Sequence, residues 1–453
     1  MRITVIGTGY LGAVHAACMA EIGHDVLGID TNSQRISALA EGRVPFFEPQ
    51  LGELLARGLN SGKLRFGGSL ADAAAFGQVH FICVGTPQLP ESLAADTSGI
   101  EAVIDGLAPH LTRNCLVAGK STVPVGTAAR MAIRLAELAP VGRGAELAWN
   151  PEFLREGYAV QDTLCSDRLV AGVTSAAADE LLRSVYAPLL EAGIPFISTD
   201  LSTAELVKVS ANAFLATKIS FINAMADLCE AAGADVVTLA RAMGYDDRIG
   251  SRGLSAGLGF GGGCLPKDLR ALVARGTDLG VGDSLHFLQE IDTLNMARRT
   301  RTVEFVSGIV GASVQGHNVA VLGAAFKPHT DDIRDSPALD VAVRLHRQGA
   351  HVRVHDPEAA ENARKVFPEL DYAHAIYAAC ENADIVLHLT DWPQYQEIDP
   401  AALRSAVRQP RLLDARNALS LDRWRADGWT AWGLGIRMAD PDTGTQVTVP
   451  ATA

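Results

Sequence analysis

Residues 2–30, RITVIGTGYLGAVHAACMAEIGHDVLGID, decide the fold of this chain. A short β-branched run ends at Ile6, and the glycine turn GTGYLG follows at residues 7–12. The stretch 13–22 has the composition of a helix, and a second strand over 25–29 ends at Asp30. This order of strand, glycine turn, helix, strand and acid predicts a βαβ unit that binds a dinucleotide.

The glycines and the acid of this unit each have a physical role. Gly7 permits the tight turn, Gly9 lets the backbone approach a pyrophosphate, and Gly12 lets the helix pack closely on the strand. The Asp30 carboxylate accepts hydrogen bonds from a ribose 2′-hydroxyl and repels a 2′-phosphate, so the sequence favours NAD over NADP. Arg35 complicates this preference, because a guanidinium there can serve a 2′-phosphate.

Outside this unit, two regions of alternating strands and helices flank a helical middle. We predict an α/β fold with two Rossmann-like doubly wound domains, joined by a long central helix and a helical middle domain. The central helix is expected over 200–232, with a capped start at Asp200 and its end at Gly233. The expected boundaries are 1–199 for the NAD-binding domain, 200–312 for the helical dimerisation domain, 313–437 for the second Rossmann-like domain and 438–453 for a disordered tail.

Composition excludes several classes of partner. The chain has 453 residues and a formal net charge of −13, so it has no general attraction to nucleic acid or to an anionic membrane. No stretch is long and apolar enough for a membrane span. The seven cysteines have no metal-ligand spacing and are typical of free thiols in a reducing cytoplasm. We therefore expect a cytoplasmic protein without a metal site that binds a small anionic molecule through local basic groups.

Polar residues follow several predicted strands, where ligands of open α/β sheets bind. Thr86 and Thr122 follow two strands, and either can line a cofactor site or belong to an ordinary turn. Glu152 and Glu156 follow the next strand and would share one face of a helical turn, as candidates for a general base. The alternative for either glutamate is a solvated surface charge.

Lys208 and Asn212 are four residues apart on the predicted central helix. An ammonium and an amide aligned on one face of an apolar helix can together stabilise an oxyanion. The alternative is a solvated stripe.

The segment GFGGGCLPKD, residues 259–268, is the densest chemical signal. Cys264 lies between a glycine loop and a predicted helix start, where the helix dipole favours a thiolate, and Lys267 adds positive charge. Asp268 is placed to act as a base or to orient a water. The alternative is a buried structural cysteine. Lys327, Arg334 and Arg416 follow later strands and can neutralise phosphates or form surface ion pairs.

A dinucleotide fold beside a nucleophilic cysteine indicates one kind of reaction. A hydride acceptor and a thiolate together can oxidise an aldehyde through a thiohemiacetal to a thioester, which water then cleaves to an acid.

The set of motifs resembles the nucleotide-sugar 6-dehydrogenases of the UDP-glucose/GDP-mannose dehydrogenase family. The resemblance extends from Gly7 to about Arg416, and its most specific segments are 150–157, 205–230, 259–268 and 326–337. It implies a homodimer or higher homo-oligomer built on the central helix, with the nucleotide sugar bound by the C-terminal domain. It also implies oxidation of the C6 hydroxyl of UDP-glucose to a carboxylate by two NAD⁺ and water.

The resemblance also implies a role for each matching residue. Cys264 would trap the C6 aldehyde, Lys208 and Asn212 would stabilise oxyanions, and Asp268 would transfer protons with Lys208 and a water. Glu156 and Thr122 would position the hydrolytic water, with Glu152 as support. The implied cofactor contacts are Gly7, Gly9, Tyr10, Leu11, Gly12, Asp30, Arg35, Thr86, Thr122, Lys267 and Arg334. The implied substrate contacts are Phe153, Leu154, Lys208, Asn212, Ser255, Phe260, Gly261, Phe326, Lys327 and Arg416, with Arg248 reaching the substrate from a neighbouring subunit.

Three alternatives to UDP-glucose oxidation stay open. Thymine differs from uracil by one methyl group, so dTDP-glucose is a possible substrate. GDP-mannose 6-dehydrogenases share residues 150–157 and much of the cysteine loop. The third alternative is an inactive NAD-binding regulatory paralogue, against which the intact Cys264, Lys208 and Asp268 argue. Gly263 departs from the family pattern, in which many members have serine at this position.

Overall fold

The computed structural model describes residues 1–436 and contains two compact units. The first comprises residues 1–211 and 270–283, and the second comprises the described residues 212–269 and 284–436. The predicted tail, 438–453, lies outside the described residues. The predicted division into three domains remains a prediction.

The first unit is built on an eight-stranded sheet with the order β3-β2-β1-β4-β5-β6-β7-β8. Its neighbouring strands are parallel except β6 and β7, which are antiparallel. The strands are β1 (Arg2–Ile6), β2 (Asp25–Ile29), β3 (Leu64–Gly67), β4 (Val79–Ile82), β5 (Cys115–Gly119), β6 (Ala145–Trp149), β7 (Leu169–Gly172) and β8 (Phe196–Thr199). The helices are α1 (Tyr10–Glu21), α2 (Ser33–Ala40), α3 (Leu51–Asn60), α4 (Leu70–Phe76), α5 (Ser98–Leu107), α6 (Thr127–Leu138), α7 (Ala159–Leu164), α8 (Ala176–Val185) and α9 (Ala187–Glu191).

Alternate residues of the central strands belong to different hydrophobic cores. Phe81 of β4 lies in the core on one face of the sheet, and its neighbour Ile82 lies in the core on the other face. Both side chains are fully buried, as expected for a parallel sheet covered by helices on both faces. Because β1 to β6 are parallel, their carboxyl ends and the loops that follow them lie along one edge of the sheet.

Two helices contribute to both units: α10 (Leu201–Ala232) and α12 (Leu265–Asp278). The predicted cap of the central helix is confirmed, since Asp200 Oδ1 accepts a hydrogen bond from the Thr203 backbone N–H at 2.8 Å. The second unit also contains α11 (Val236–Gly244) and α13 (His286–Val310).

The second unit has a six-stranded parallel sheet with the order β11-β10-β9-β12-β13-β14. Its strands are β9 (Asn318–Leu322), β10 (His351–His355), β11 (Asp371–Tyr372), β12 (Ile385–His388), β13 (Arg411–Asp414) and β14 (Thr430–Gly433). The remaining helices are α14 (Pro337–Arg347), α15 (Ala360–Val366), α16 (Ile376–Cys380), α17 (Pro393–Gln396), α18 (Pro400–Arg404) and α19 (Leu421–Ala426). The prediction of two α/β regions with mostly parallel sheets is confirmed.

Some predicted elements differ in detail. The first helix begins at Tyr10, three residues earlier than the composition indicated. Residues 10–12 of the glycine turn therefore form its first turn, with Gly9 as the N-cap. The helical middle contains, after α10 and α11, the two helices α12 and α13, which are separated by a 3-10 segment at Gly282–Leu285. Gly280, with φ +76°, ends the first of these helices. The strands β3, β8, β11 and β14 are short, and the sequence did not predict them.

Candidate active site

The glycine turn after β1 has the geometry that a dinucleotide requires. A Cβ on Gly12 would lie 1.8 Å from the Gly7 carbonyl oxygen, so only glycine allows this close packing of helix and strand. A Cβ on Gly9 would meet no atom within 4 Å, which leaves this backbone open to the approach of a phosphate. The turn, which includes Leu11, therefore fits the pyrophosphate of a dinucleotide.

Asp30 follows β2 and lies beside this turn. Its Oδ2 accepts hydrogen bonds from the Thr8 N–H at 2.8 Å and from Arg35 Nη1 at 2.9 Å, and its Oδ1 accepts one from the Asn32 N–H at 2.9 Å. Burial alone would raise the pKa of Asp30, but these donors together hold it below its usual value. The carboxylate is therefore ionised at neutral pH. Arg35 is drawn to Asp30, so part of its charge is already neutralised.

The loops after β4 and β5 are joined by a hydrogen bond between two predicted site residues. The Thr86 hydroxyl donates to the Thr122 carbonyl oxygen at 2.7 Å. The buried Glu205 of α10 accepts bonds from the backbone N–H groups of Gly126 and Ala128, at the start of α6. These bonds fix the residues after β5, at the carboxyl edge where the glycine turn also lies.

The loop after β6 carries four of the predicted site residues. Lys208 Nζ lies 3.2 Å from Glu152 Oε1, and both side chains are largely buried. Glu152 Oε2 also accepts the Leu154 N–H at 2.6 Å, and the Lys208 ammonium lies 5.7 Å from the centre of the Phe153 ring. The expectation that Glu152 and Glu156 share a helical face is wrong, because the helix α7 begins only at Ala159. They belong to an irregular loop, in which spacing by four does not align side chains.

A buried lysine that the sequence did not indicate as a site residue holds the base of this loop. Lys120 Nζ donates to Asn150 Oδ1 at 3.1 Å, and the Tyr186 hydroxyl donates to the same oxygen at 2.6 Å. Burial lowers the pKa of Lys120 to about 8. Lys120 directly follows β5, but the neighbouring residues in the sequence did not indicate that its side chain is buried.

Glu48 is a second residue that the sequence analysis missed. Its carboxylate accepts hydrogen bonds from the Tyr10 hydroxyl and from the backbone N–H groups of Gly157 and Ala159, the latter two at 2.7 Å. The Gly157 N–H also reaches the Tyr10 oxygen at 2.9 Å. Tyr10, which we expected at the cofactor, thus ties the glycine turn to the loop that contains Glu152 and Glu156.

In the second unit, Cys264 occupies the position that the sequence predicted. The helix α12 begins at Leu265, and its first turn closes with a bond from the Asp268 N–H to the Cys264 carbonyl at 2.9 Å. All seven cysteines are free, and only Cys264 and Cys165 are exposed. The thiol therefore lies at a helix N-terminus and is accessible, as a nucleophile must be.

Asp268 and Asn212 form a cluster with Lys267 at the start of α12. The Asn212 amide donates to Asp268 Oδ2 at 2.7 Å, and Lys267 Nζ donates to Asp268 Oδ1 at 2.6 Å. Asp268 is almost fully buried. The two donors fix both carboxylate oxygens in one orientation, which suits a group that moves a proton at a defined place.

Several of the other predicted residues of this unit belong to the cysteine loop, 255–264, or contact it. Arg416 donates to the carbonyl oxygens of Gly259 at 3.1 Å and of Phe326 at 3.2 Å, so it joins this loop to the segment that follows β9. A Cβ on Gly263 would lie 2.4 Å from the Arg334 guanidinium carbon, so Arg334 packs against Gly263, the residue before Cys264. Phe260 and Gly261 are buried within the loop, Ser255 is exposed, and Lys327 directly follows Phe326. Arg248 is exposed and pairs with Asp246.

Residues 1–436 contain no group of three or more His, Cys, Asp or Glu side chains arranged to hold a metal ion. Across the same residues, every helix is too short or too polar to cross a bilayer.

Comparison with protein families matches three consecutive models of one family to this chain. Residues 1–190 match the NAD binding domain of the UDP-glucose/GDP-mannose dehydrogenase family, residues 202–297 match its central domain, and residues 320–421 match its UDP binding domain.

Individual relatives are similar over almost the whole chain. The UDP-glucose 6-dehydrogenase of Rhizobium meliloti (strain 1021) is 41% identical over 437 residues, which is 96% of this chain and 99% of the relative. The UDP-glucose 6-dehydrogenase TuaD of Bacillus subtilis (strain 168) is 38% identical over 97% of this chain and 95% of its own length. The solved structure of a UDP-glucose dehydrogenase from Pyrobaculum islandicum superposes with a TM-score of 0.88 at 37% identity, covering 96% of this chain and 97% of that one.

Proposed function

The chain belongs to the UDP-glucose/GDP-mannose dehydrogenase family, and on this premise we propose that it oxidises UDP-glucose to UDP-glucuronate. The relatives named as UDP-glucose 6-dehydrogenases match it over nearly their full length, which favours this sugar over dTDP-glucose and GDP-mannose. The observation that carries the proposal within the molecule is an exposed Cys264 at the N-terminus of α12, one turn from the buried Asp268.

The enzyme is NAD-dependent. The NAD binding domain of the family matches the first unit, where the open backbone at Gly9 and the ionised Asp30 fit the pyrophosphate and the ribose of the cofactor. NAD⁺ bound there would supply the hydride acceptor for each of the two oxidations at C6. Thr86, Thr122, Lys267 and Arg334 are the further contacts that we assign to it.

We assign the first chemical step, oxidation of the C6 hydroxyl to an aldehyde, to Asp268, Lys208 and Asn212. Asp268 accepts the proton of the C6 hydroxyl through a water, and its orientation by Asn212 and Lys267 supports this role. Lys208 and the Asn212 amide stabilise the negative charge that develops on the C6 oxygen. The buried Lys208–Glu152 pair holds the ammonium in place for this task.

Cys264 carries the second half of the reaction. Its thiolate adds to C6 of the aldehyde, and the resulting thiohemiacetal loses a hydride to become a thioester. A water positioned by Glu156 and Thr122 attacks the thioester carbonyl carbon, and the C–S bond breaks with the Cys264 thiolate as the leaving group. The sugar carboxylate is the product, and the protons of the water pass to the thiolate and to solvent. Glu152 supports these groups through its bonds to Lys208 and to the Leu154 N–H.

The nucleotide sugar is assigned to residues that lie around the cysteine loop, together with the loop after β6. The UDP binding domain of the family matches residues 320–421, which include Phe326, Lys327 and Arg416. The remaining assigned contacts are Phe153, Leu154, Ser255, Phe260, Gly261 and the exposed Arg248 of a neighbouring subunit.

We also propose that the three family domains correspond to the boundaries 1–199, 200–312 and 313–437. We further propose that the enzyme is cytoplasmic, because its seven free thiols remain reduced in that compartment.

The test of this function is a rate comparison of UDP-glucose, dTDP-glucose, GDP-mannose and UDP-N-acetylmannosamine, with NADH counted for each sugar consumed. We expect the highest kcat/KM for UDP-glucose and about two NADH per sugar, since the thioester route transfers two hydrides. Release of free aldehyde at one NADH per sugar would contradict the four-electron reaction. A higher kcat/KM for another sugar would contradict the substrate, and no turnover of any sugar would support the regulatory paralogue.

We propose that α10 pairs with a second copy of this chain. Phe214, Phe221 and Leu228 are 66%, 45% and 59% exposed. They recur every seven residues, so they form one apolar stripe along the helix, and a seven-residue repeat is the spacing by which two helices pack along a seam. Monomeric proteins rarely expose such a continuous patch, and a two-fold axis would bring the stripe onto itself.

Replacing Phe214 and Phe221 together by glutamate should convert the oligomer to a monomer, because four like charges would meet at the seam. Sedimentation equilibrium measures this directly. Ile133→Glu is the matched control, since Ile133 is 62% exposed on α6 and outside the stripe. A wild-type monomer, or a double variant that still associates like the wild type, would contradict the assignment.

A further inference from the structure

A buried asparagine of α13 contacts the cysteine loop through both ends of its side-chain amide. Asn295 Oδ1 accepts the Phe260 backbone N–H at 2.8 Å, and its Nδ2 donates to the Phe260 carbonyl at 3.0 Å. The side chain is 1% exposed. Asn295 thus satisfies both backbone groups of one loop residue, as a neighbouring strand would, at a place where the loop has no strand partner.

The backbone on either side of Phe260 is packed too closely against its neighbours to admit a side chain. Gly259 has φ +94°, and a Cβ there would lie 2.5 Å from Asn295 Oδ1. A Cβ on Gly261 would lie 2.1 Å from the Asp335 carbonyl oxygen, and Arg299, one turn after Asn295 on α13, binds Asp335 Oδ1 at 2.7 Å. The loop is therefore held by hydrogen bonds at Phe260, four residues before Cys264, and at Gly262, whose N–H donates to the Arg334 carbonyl at 2.9 Å.

We propose that Asn295 is a positioning residue for the reaction, one that sets the place of Cys264 at the N-terminus of α12 by holding Phe260. The proposal rests on the proposed role of Cys264 as the nucleophile. A loop that slides or frays would move the thiol away from the free N–H groups and the dipole of α12, which stabilise a thiolate. It would also misplace the thiol with respect to C6 of the aldehyde, where small displacements are costly.

The test compares Asn295→Leu, which removes both hydrogen bonds at similar volume, with Asn295→Asp, which keeps the acceptor and replaces the donor by a carboxylate oxygen. In the substrate-free enzyme, the alkylation of Cys264 by iodoacetamide is measured by mass spectrometry relative to Cys165, the other exposed thiol. We expect this ratio at pH 7 to fall roughly two- to fivefold in Asn295→Leu, the scale of a helix-terminus interaction with a charge. A smaller fall in the same direction is expected for Asn295→Asp.

A second readout separates positioning from stability. Unfolded molecules lower the rate but do not change the number of NADH formed per sugar by the folded ones. With a carbonyl reagent present to trap aldehyde, NADH per sugar should fall below the wild-type value in the Asn295 variants. Val306→Ala is the control, because Val306 is a buried core residue of α13 outside the cysteine loop. It should lower the melting temperature and leave both the alkylation ratio and the stoichiometry unchanged.

Each outcome decides the proposal. An unchanged or increased alkylation ratio in Asn295→Leu overturns it, as does an equal fall in Val306→Ala. If Asn295→Leu does not fold, Asn295→Asp decides by the same two measurements. Failure of the proposed function is recognised by a different experiment. Full activity of an enzyme that lacks the Cys264 thiol would show that Cys264 is not the nucleophile, whereas the effect of Asn295 on the alkylation of Cys264 would be unaffected.

Discussion

Cys264→Ser should lower turnover of UDP-glucose by several orders of magnitude, the scale of losing a covalent nucleophile. A serine hydroxyl is far less ionised than a thiol at neutral pH, and an ester is cleaved by water less readily than a thioester. Because Cys264 is exposed at the start of α12, the substitution creates no cavity, so the variant should fold and bind NAD. Steady-state kcat, melting temperature and NADH binding measure these three properties.

The cysteines themselves supply the control for this prediction. Burial raises the pKa of the Cys18, Cys83 and Cys380 thiols to about 12, so they should react slowly with iodoacetamide. Cys264 should be alkylated faster than all six others, and saturating substrate should protect it. Cys165→Ser, which changes the other exposed thiol, should retain wild-type turnover. A Cys264→Ser enzyme with near-wild-type turnover would rule out the covalent mechanism.

Lys208→Met should lower kcat by about 10²- to 10³-fold, the loss measured when one preorganised oxyanion-stabilising group is removed. Methionine keeps an unbranched side chain of similar length, so packing against Phe153 is largely retained. KM should change little, because the charge develops on the C6 oxygen only as the reaction proceeds. Initial rates over a range of UDP-glucose concentrations separate kcat from KM.

This variant also leaves the Glu152 carboxylate buried without its ammonium partner, which costs stability. The double variant Lys208→Met with Glu152→Gln removes that unpaired charge, so we expect it to recover melting temperature but not kcat. Lys63→Met, at a surface lysine paired with Asp25, is the control for a change of charge alone. Recovery of activity in parallel with stability would show that Lys208 has a structural role only.

Local patterns predicted the elements whose form depends on nearby residues. The strand before Gly7, the glycine turn and Asp30 follow one another within 30 residues of sequence. In the structure β1 pairs with β2, and Asp30 accepts a hydrogen bond from the Thr8 N–H in the glycine turn, as expected for a dinucleotide-binding unit. The start of α10 at its Asp200 cap was predictable for the same reason, since a side chain three residues away satisfies the helix terminus. Short edge strands such as β8 were missed, because half of their residues are exposed and they have little apolar pattern.

The groups that support the candidate site were far less predictable. Glu48 and Asn295 look like an ordinary turn residue and an ordinary helix residue in the sequence. Their partners Gly157 and Phe260 are 109 and 35 residues away along the chain. Both side chains bind backbone groups, which every residue has. The residue types of Gly157 and Phe260 therefore do not indicate that these residues have such partners.

The sequence by itself determined the fold class, the dinucleotide turn and the residue types that carry the chemistry, because glycine conformation, helix caps and strand composition are local properties. Tertiary structure alone decided which partners Lys208 and Asn212 have. Lys208 and Asn212 are one helical turn apart, yet Lys208 binds Glu152 and Asn212 binds Asp268, 56 residues further along the chain. Sheet order and the packing of buried side chains bring the two members of each pair together. Neither can be read from the spacing of these residues in the sequence.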